Sequence, residues 1–407
     1  MQNKTEQLLK AEKTNQGESA GAAIESYSFT SDYNLSVDEM QEVQGDLFLH
    51  ELVDMAVTAN AHFKYEVLVP EKGKKYNKAI VLLHGLNEKS WEKYYAWGTK
   101  LCQQLNRPVI FFPLAYHMNR APKQWSNPRH LKEAVQQRKA EQPGGDATFA
   151  NVALSIRLDS RPEQFIYSGV QSYYDIWKLA RQIKAGDHPL FEGGTVPDFF
   201  AYSIGAFLAE ILMISNPGAL FTHSRLMIFA GGTTFDRMHG TSRYIMDLNA
   251  FKSLLLLRKN KKLKEVYQRL SACELPDFDQ VWRGFYAMVH GRKGRKLRNE
   301  WLKNSNNQVF ILALQKDKVM PLKYILKAYK GSRFAPRIDV IDFPFAYTHE
   351  NPFPTTRDAG EQHLVNRALD TVFEKAVRFF ARGQTVTLGS KGMATFSKGS
   401  LSFGMQP

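Results

Sequence analysis

Cysteine is scarce in this chain. Only Cys102 and Cys273 occur in 407 residues, and neither sits in a CxxC or Cys/His ligand spacing. That argues against a disulfide framework or a thiolate metal site, and it suits a reducing compartment. Long hydrophobic runs are missing too. The longest, residues 199–214, is broken by Ser203 and Glu210 and is too short to span a bilayer comfortably. The first ten residues are polar and lack the apolar segment of a secretion signal, so the expected location is the cytoplasm. Negative charge is also in deficit, with 54 Lys and Arg against 40 Asp and Glu and a net charge of +14. The imbalance is local: residues 237–303 hold 16 Lys and Arg against 6 Asp and Glu. Such a stretch can be a solvated helical face. It could also steer an anionic substrate or touch a membrane surface. No aromatic interleaving or reader motif accompanies it, which argues against nucleic acid as a partner.

What is present describes a soluble globular protein. Apolar residues make up 43% and charged residues 23%, enough core for one large domain with an insertion or for two. Residues 26–33 and 62–69 alternate as antiparallel strands do. Residues 79–83, 109–112, 226–230 and 309–314 are short continuous apolar runs, the pattern of strands buried on both faces. Helical periodicity at 91–105, 169–183 and 362–382 alternates with them, which predicts a mostly parallel sheet flanked by helices. Residues 113–162 are irregular and proline-bearing, as functional or mobile segments often are. Residues 1–24 read as a flexible leader and 383–407, with five glycines and no acid, as a disordered tail.

One stretch asks for chemistry. Phe-Phe-Ala-Tyr-Ser-Ile-Gly-Ala, residues 199–206, puts a hydroxyl at a junction between a strand-like run and an apolar helix. Core packing calls for no serine there; the bland alternative is a buried serine bonded to the backbone. Gly205 would allow the close strand–helix approach of a sharp turn, and the helix beginning at Ile204 would point free N–H groups at a charge developing nearby. A serine is a poor nucleophile until a base takes its proton, so a histidine and an orienting acid must lie elsewhere.

Ala-Tyr-Ser-Ile-Gly at 201–205 and Leu-Leu-His-Gly-Leu at 82–86 give the chain its resemblance to the α/β-hydrolase superfamily. The first elbow position departs from the usual glycine, being Ala201. The resemblance implies an α/β-hydrolase core over residues 25–236 and 308–382, with a helical cap inserted at 237–307, between strands 6 and 7. It implies Ser203 as nucleophile, Asp317 (in Gln-Lys-Asp-Lys-Val) as acid and His349 (in Tyr-Thr-His-Glu) as base, in the superfamily's chain order. Asp236, after the preceding strand, is a rival acid. The Leu86 and Ile204 N–H groups would form the oxyanion hole, His84 being more structural than catalytic and Tyr202 a packing residue. The implied activity is hydrolysis of a carboxylic ester or thioester, without metal or organic cofactor. Acyl transfer by the same triad and non-catalytic binding are the alternatives. In the insertion, 251–257 and 282–289 could line an acyl pocket or pack a core. The basic charge there points to a small-molecule substrate with an acidic group, or to peripheral membrane contact.

Overall fold

The structure, a computed structural model, describes residues 22–35, 58–142, 144–257, 260–305 and 307–382. The expected tail and residues 1–21 of the expected leader lie outside them. Eight strands form one sheet: β1 (Ala23–Thr30), β2 (His62–Val69), β3 (Ala79–Leu83), β4 (Val109–Phe111), β5 (Pro197–Tyr202), β6 (Leu226–Phe229), β7 (Val309–Leu314) and β8 (Arg337–Ile341). Their order is β1-β2-β4-β3-β5-β6-β7-β8, with β2 antiparallel to β1 and β4 and every other pair parallel. This is the α/β-hydrolase sheet. The first strand starts earlier than expected, inside the leader, because Ala23 and Ile24 pair with Val69 and Leu68.

Every residue of β3, β5, β6 and β7 is buried, which is why these strands read as unbroken apolar runs instead of alternating ones. The alternation is still there, between the two faces. Val81, Leu83, Phe199 and Ala201 enter one core, and Ile80, Leu82, Phe200 and Tyr202 enter the other.

The helices follow the chain as α1 (Glu92–Leu105), α2 (Pro128–Glu141), α3 (Val152–Ser160), α4 (Gln164–Ala185), α5 (Ile204–Ser215) and α6 (Leu248–Leu257). They continue as α7 (Asn260–Ser271), α8 (Phe278–Val289), α9 (Arg295–Asn304), α10 (Leu322–Tyr329) and α11 (Ala359–Phe380). Helices α1 and α11 cover one face with Trp97, Leu101, Val372, Phe373 and Val377, while α4, α5 and α8 cover the other. Helix α5 is buried nearly all round, as an apolar helix beneath a second layer must be. Among the described residues no helix is long and apolar enough to cross a membrane.

Two regions refine the sequence reading. The segment 113–162 contains α2 and α3 and two short 3₁₀ turns. Two of its prolines start helical turns instead of breaking them: Pro122 precedes the 3₁₀ turn Lys123–Ser126, and Pro128 opens α2, where the Asn127 side chain caps the Arg129 N–H at 3.0 Å. Only Leu131, Val135 and Arg138 of α2 are buried, too thin a stripe for a periodic signal. Between β6 and β7 lie four helices, α6 to α9. Of these, α8 runs against α5, so close that a side chain at Gly284 would lie 2.9 Å from the Ile211 carbonyl oxygen. Residues 282–289 therefore belong to the core layer. Helix α6 packs on α3. Arg138 joins the two regions, pairing with Asp247 at 2.9 Å and Asp159 at 2.7 Å.

Candidate active site

Ser203 stands between the end of β5 and the start of α5 at φ +57° and ψ −120°, a conformation an L-residue holds only under local strain, on the order of 1–3 kcal/mol. The strain persists because the chain has no room to relax. A side-chain carbon at Gly205 would come within 2.7 Å of the Leu83 and His84 carbonyl oxygens, so only glycine lets α5 sit this close to β3. The turn lifts the Ser203 hydroxyl off the carboxyl end of the sheet, where ligands of open α/β sheets bind.

Three residues far apart in sequence meet there. Ser203 Oγ lies 2.7 Å from His349 Nε2, and His349 Nδ1 lies 2.8 Å from Asp317 Oδ2. All three are buried. Asp317 follows β7, and its other oxygen, Oδ1, accepts the Val319 and Met320 N–H groups, both at 2.8 Å. The turn thus fixes the carboxylate so that Oδ2 faces the imidazole. With Oδ2 accepting the Nδ1 proton, Nε2 is left as an acceptor for the serine hydroxyl. Asp236 is engaged elsewhere, accepting from Thr234 Oγ1 at 2.6 Å and lying 3.6 Å from Arg237 Nε. His363 is exposed on α11.

The turn after β3 carries Leu86. Its neighbours' amides are taken: the Gly85 N–H donates to the Tyr94 hydroxyl and the Asn87 N–H to His117 Nε2, each at 3.0 Å. Neither the Leu86 N–H nor the Ile204 N–H has an acceptor among the described residues. Ile204 is the first residue of α5, where no intrahelical acceptor exists. His84 braces this turn. Its Nδ1 bonds the Gly85 carbonyl at 2.8 Å and its Nε2 accepts the Leu114 N–H at 3.0 Å, so the ring is neutral. Full burial lowers its pKa to about 3, with Lys93 and Arg120 nearby adding to the effect.

Several supporting residues escape a reading of the sequence alone. The expectation for Tyr202 was packing only, but its hydroxyl also donates to the His349 carbonyl. Lys93 pairs with Glu88, donates to the Glu350 carbonyl at 2.8 Å and stands 4.9 Å from the centre of the Tyr202 ring. The Asn87 carboxamide donates to the carbonyls of Ala150 and Tyr244, tying the Leu86 turn to the segment before α3 and to the segment between β6 and β7. Glu88, just before α1, and Lys93, in its first turn, look in the sequence like any charged pair near a helix end. Among the described residues no group of three or more His, Cys, Asp or Glu is placed to hold a metal.

A family model described as "Family of unknown function (DUF6051)" matches residues 4–381. Among curated proteins no sequence matches. Solved structures similar to the chain include carboxyl esterase 2 from Tuber melanosporum, at 9% identity and TM-score 0.42, covering 78% of this chain and 82% of that one. An esterase domain from Rhodothermus marinus is 7% identical with TM-score 0.41, over 88% and 99% of the two chains. The peroxisomal alpha-beta-hydrolase Lpx1 from Saccharomyces cerevisiae is 11% identical with TM-score 0.38, over 88% and 90%. At these values the strand order and the elbow, not overall likeness, identify the fold.

Proposed function

The chain belongs to the DUF6051 family, whose function is unknown, and from its own geometry we propose that it is a serine hydrolase of carboxylic esters or thioesters. The observation that supports this most is the relay from Ser203 Oγ through His349 to Asp317, 2.7 and 2.8 Å long, at a positive-φ elbow. A hydroxyl that only needed burial would find a backbone carbonyl; this one is aligned on an imidazole whose far nitrogen is held by a fixed carboxylate.

In the proposed reaction His349 Nε2 takes the hydroxyl proton as Ser203 Oγ attacks the substrate carbonyl. The Leu86 and Ile204 N–H groups donate to the oxyanion. His349 then gives the proton to the departing alkoxide or thiolate, leaving an acyl-Ser203 ester. Water enters and attacks the acyl carbonyl as His349 takes one of its protons; His349 then returns that proton to Ser203 Oγ as the acyl–Oγ bond breaks, releasing the acid and restoring the serine. Each step uses groups of this chain and water alone.

The direct test is labelling of the full chain with a fluorophosphonate, beside Ser203→Ala. A phosphonyl adduct on Ser203 in the wild type, absent from the folded variant, is expected. A folded wild type that takes no label and does not cleave p-nitrophenyl acetate would overturn the reading.

A further inference from the structure

Most inward arginines of this protein have a counter-charge. Arg107 pairs with Asp198, Arg120 with Asp175, and Arg138 with Asp159 and Asp247. Arg157, on α3, has none among the described residues. Its guanidinium lies 3.6 Å above the centre of the Trp125 ring and 5.0 Å from that of Tyr116, and those two rings stack on each other at 6.3 Å. Among the described residues its guanidinium makes no ion pair and no side-chain hydrogen bond. A half-buried cation held on an aromatic platform has one face packed and keeps its in-plane N–H donors for water or a bound anion. Desolvation lowers the Arg157 pKa to about 10.

A second cation shares the neighbourhood. Lys89 is on the turn that carries Leu86, and its pKa is lowered to about 8 by desolvation and then by the charge of Arg157, although the residue as a whole is exposed. Glu88 is occupied, accepting from Lys93 and from the Tyr94 hydroxyl. Lys89 stands three residues beyond Leu86, the proposed oxyanion donor. Asn87, one residue beyond Leu86, ties this turn to Ala150 at 2.8 Å, on the approach to α3. His117, which accepts the Asn87 N–H, lies within the fields of both cations.

We propose that Arg157 and Lys89 form an anion subsite on the Leu86 side of Ser203, so that the substrate is an ester or thioester carrying a carboxylate. The proposal rests on the hydrolase reading above. A guanidinium with one face on an indole keeps its N–H donors in its own plane, where a planar carboxylate accepts two at once. Lys89 adds a point charge beside it. Phosphate presents the same oxyanion chemistry and is the alternative occupant.

Two measurements on the full chain test this. In the first, glutarate and inorganic phosphate are titrated calorimetrically into the wild type, Ser203→Ala and Arg157→Gln. Binding of glutarate that persists in Ser203→Ala and weakens about tenfold or more in Arg157→Gln is the expected result. Tighter binding of phosphate replaces carboxylate by phosphate as the recognised group. Absence of both from the wild type, or binding untouched by Arg157→Gln, overturns the subsite. In the second, kcat/KM is compared for mono-p-nitrophenyl glutarate and p-nitrophenyl pentanoate. Their ratio should favour the glutarate ester and fall about tenfold or more in Arg157→Gln, with a smaller fall in Arg157→Lys. An equal ratio in wild type and variant counts against acyl-side recognition and sinks the proposal if binding is also unchanged. Should Arg157→Gln not fold, Arg157→Lys and Lys89→Gln carry both comparisons. The two readings fail separately. Turnover of neutral esters without anion binding removes only the subsite, and anion binding without labelling of Ser203 removes only the hydrolase.

Discussion

The Tyr202 ring lies against the His349 imidazole, with centroids 5.5 Å apart and planes at 17°, and its hydroxyl donates to the His349 carbonyl. The residue before the serine thus holds the histidine from two sides, by stacking and by a backbone hydrogen bond. Tyr202→Phe keeps the stack and strips a buried carbonyl of its donor, at a cost of about 1–3 kcal/mol. The expected outcome is a lower melting temperature and a kcat reduced about tenfold, with KM changed far less. Turnover and melting temperature equal to wild type would show that the histidine is held by stacking alone.

Asp317 presents Oδ2 to His349 and Oδ1 to two backbone amides. In Asp317→Asn, one of these donors must face the new NH₂, whichever way the amide turns. Activity should fall by roughly 10³–10⁴. Asp236→Asn, whose carboxylate bonds Thr234 instead, should stay within a few-fold of wild type. Steady-state kinetics on both variants decides which acid serves the histidine; the reverse ranking would reassign the role to Asp236.

His84 makes stability depend on pH. Its ring is neutral in the fold, with a pKa of about 3 against 6.5 in the unfolded chain. Between those values the unfolded state binds more protons, so stability is full above pH 6.5 and falls as pH drops through the window, by up to about 1.4 kcal/mol per pH unit. His117, lowered in the same direction by burial, adds to the slope. Melting temperature should therefore decline from pH 7 to pH 5. His84→Gln, which keeps an acceptor for the Leu114 N–H, should decline less steeply. Parallel profiles for the two proteins would rule His84 out as the source.

Arg120 is fully buried and donates to Asp175 at 2.8 Å, to the Pro113 carbonyl and to Asn60, joining α4 to the loop after β4. Asp175→Ala strands the guanidinium, and removing one partner of a buried pair costs about 3–5 kcal/mol. Chemical denaturation should show a loss of that size. A loss below about 1 kcal/mol would mean that the neutral acceptors satisfy Arg120 unaided.

The linear chain carried a good deal of this by itself. Apolar runs such as 79–83 and 309–314 marked the buried parallel strands, because a strand covered on both faces has no polar side to show. Ser203 could be singled out from the residues around it, and Asp317 and His349 from short motifs taken in the chain order that the superfamily resemblance implies. Tertiary structure decided what depends on residues distant in sequence. Preferring Asp317 to Asp236 as the partner of His349 took distances across 32 positions. The helices within 113–162 stayed hidden because α2 buries so few residues, and its anchor, Asp247, lies 109 positions beyond Arg138. That Tyr202 reaches a carbonyl 147 residues away, or that Arg157 lies on Trp125, is invisible along the chain. Periodicity records which face of an element is buried; it holds no trace of which polar groups meet once the faces come together.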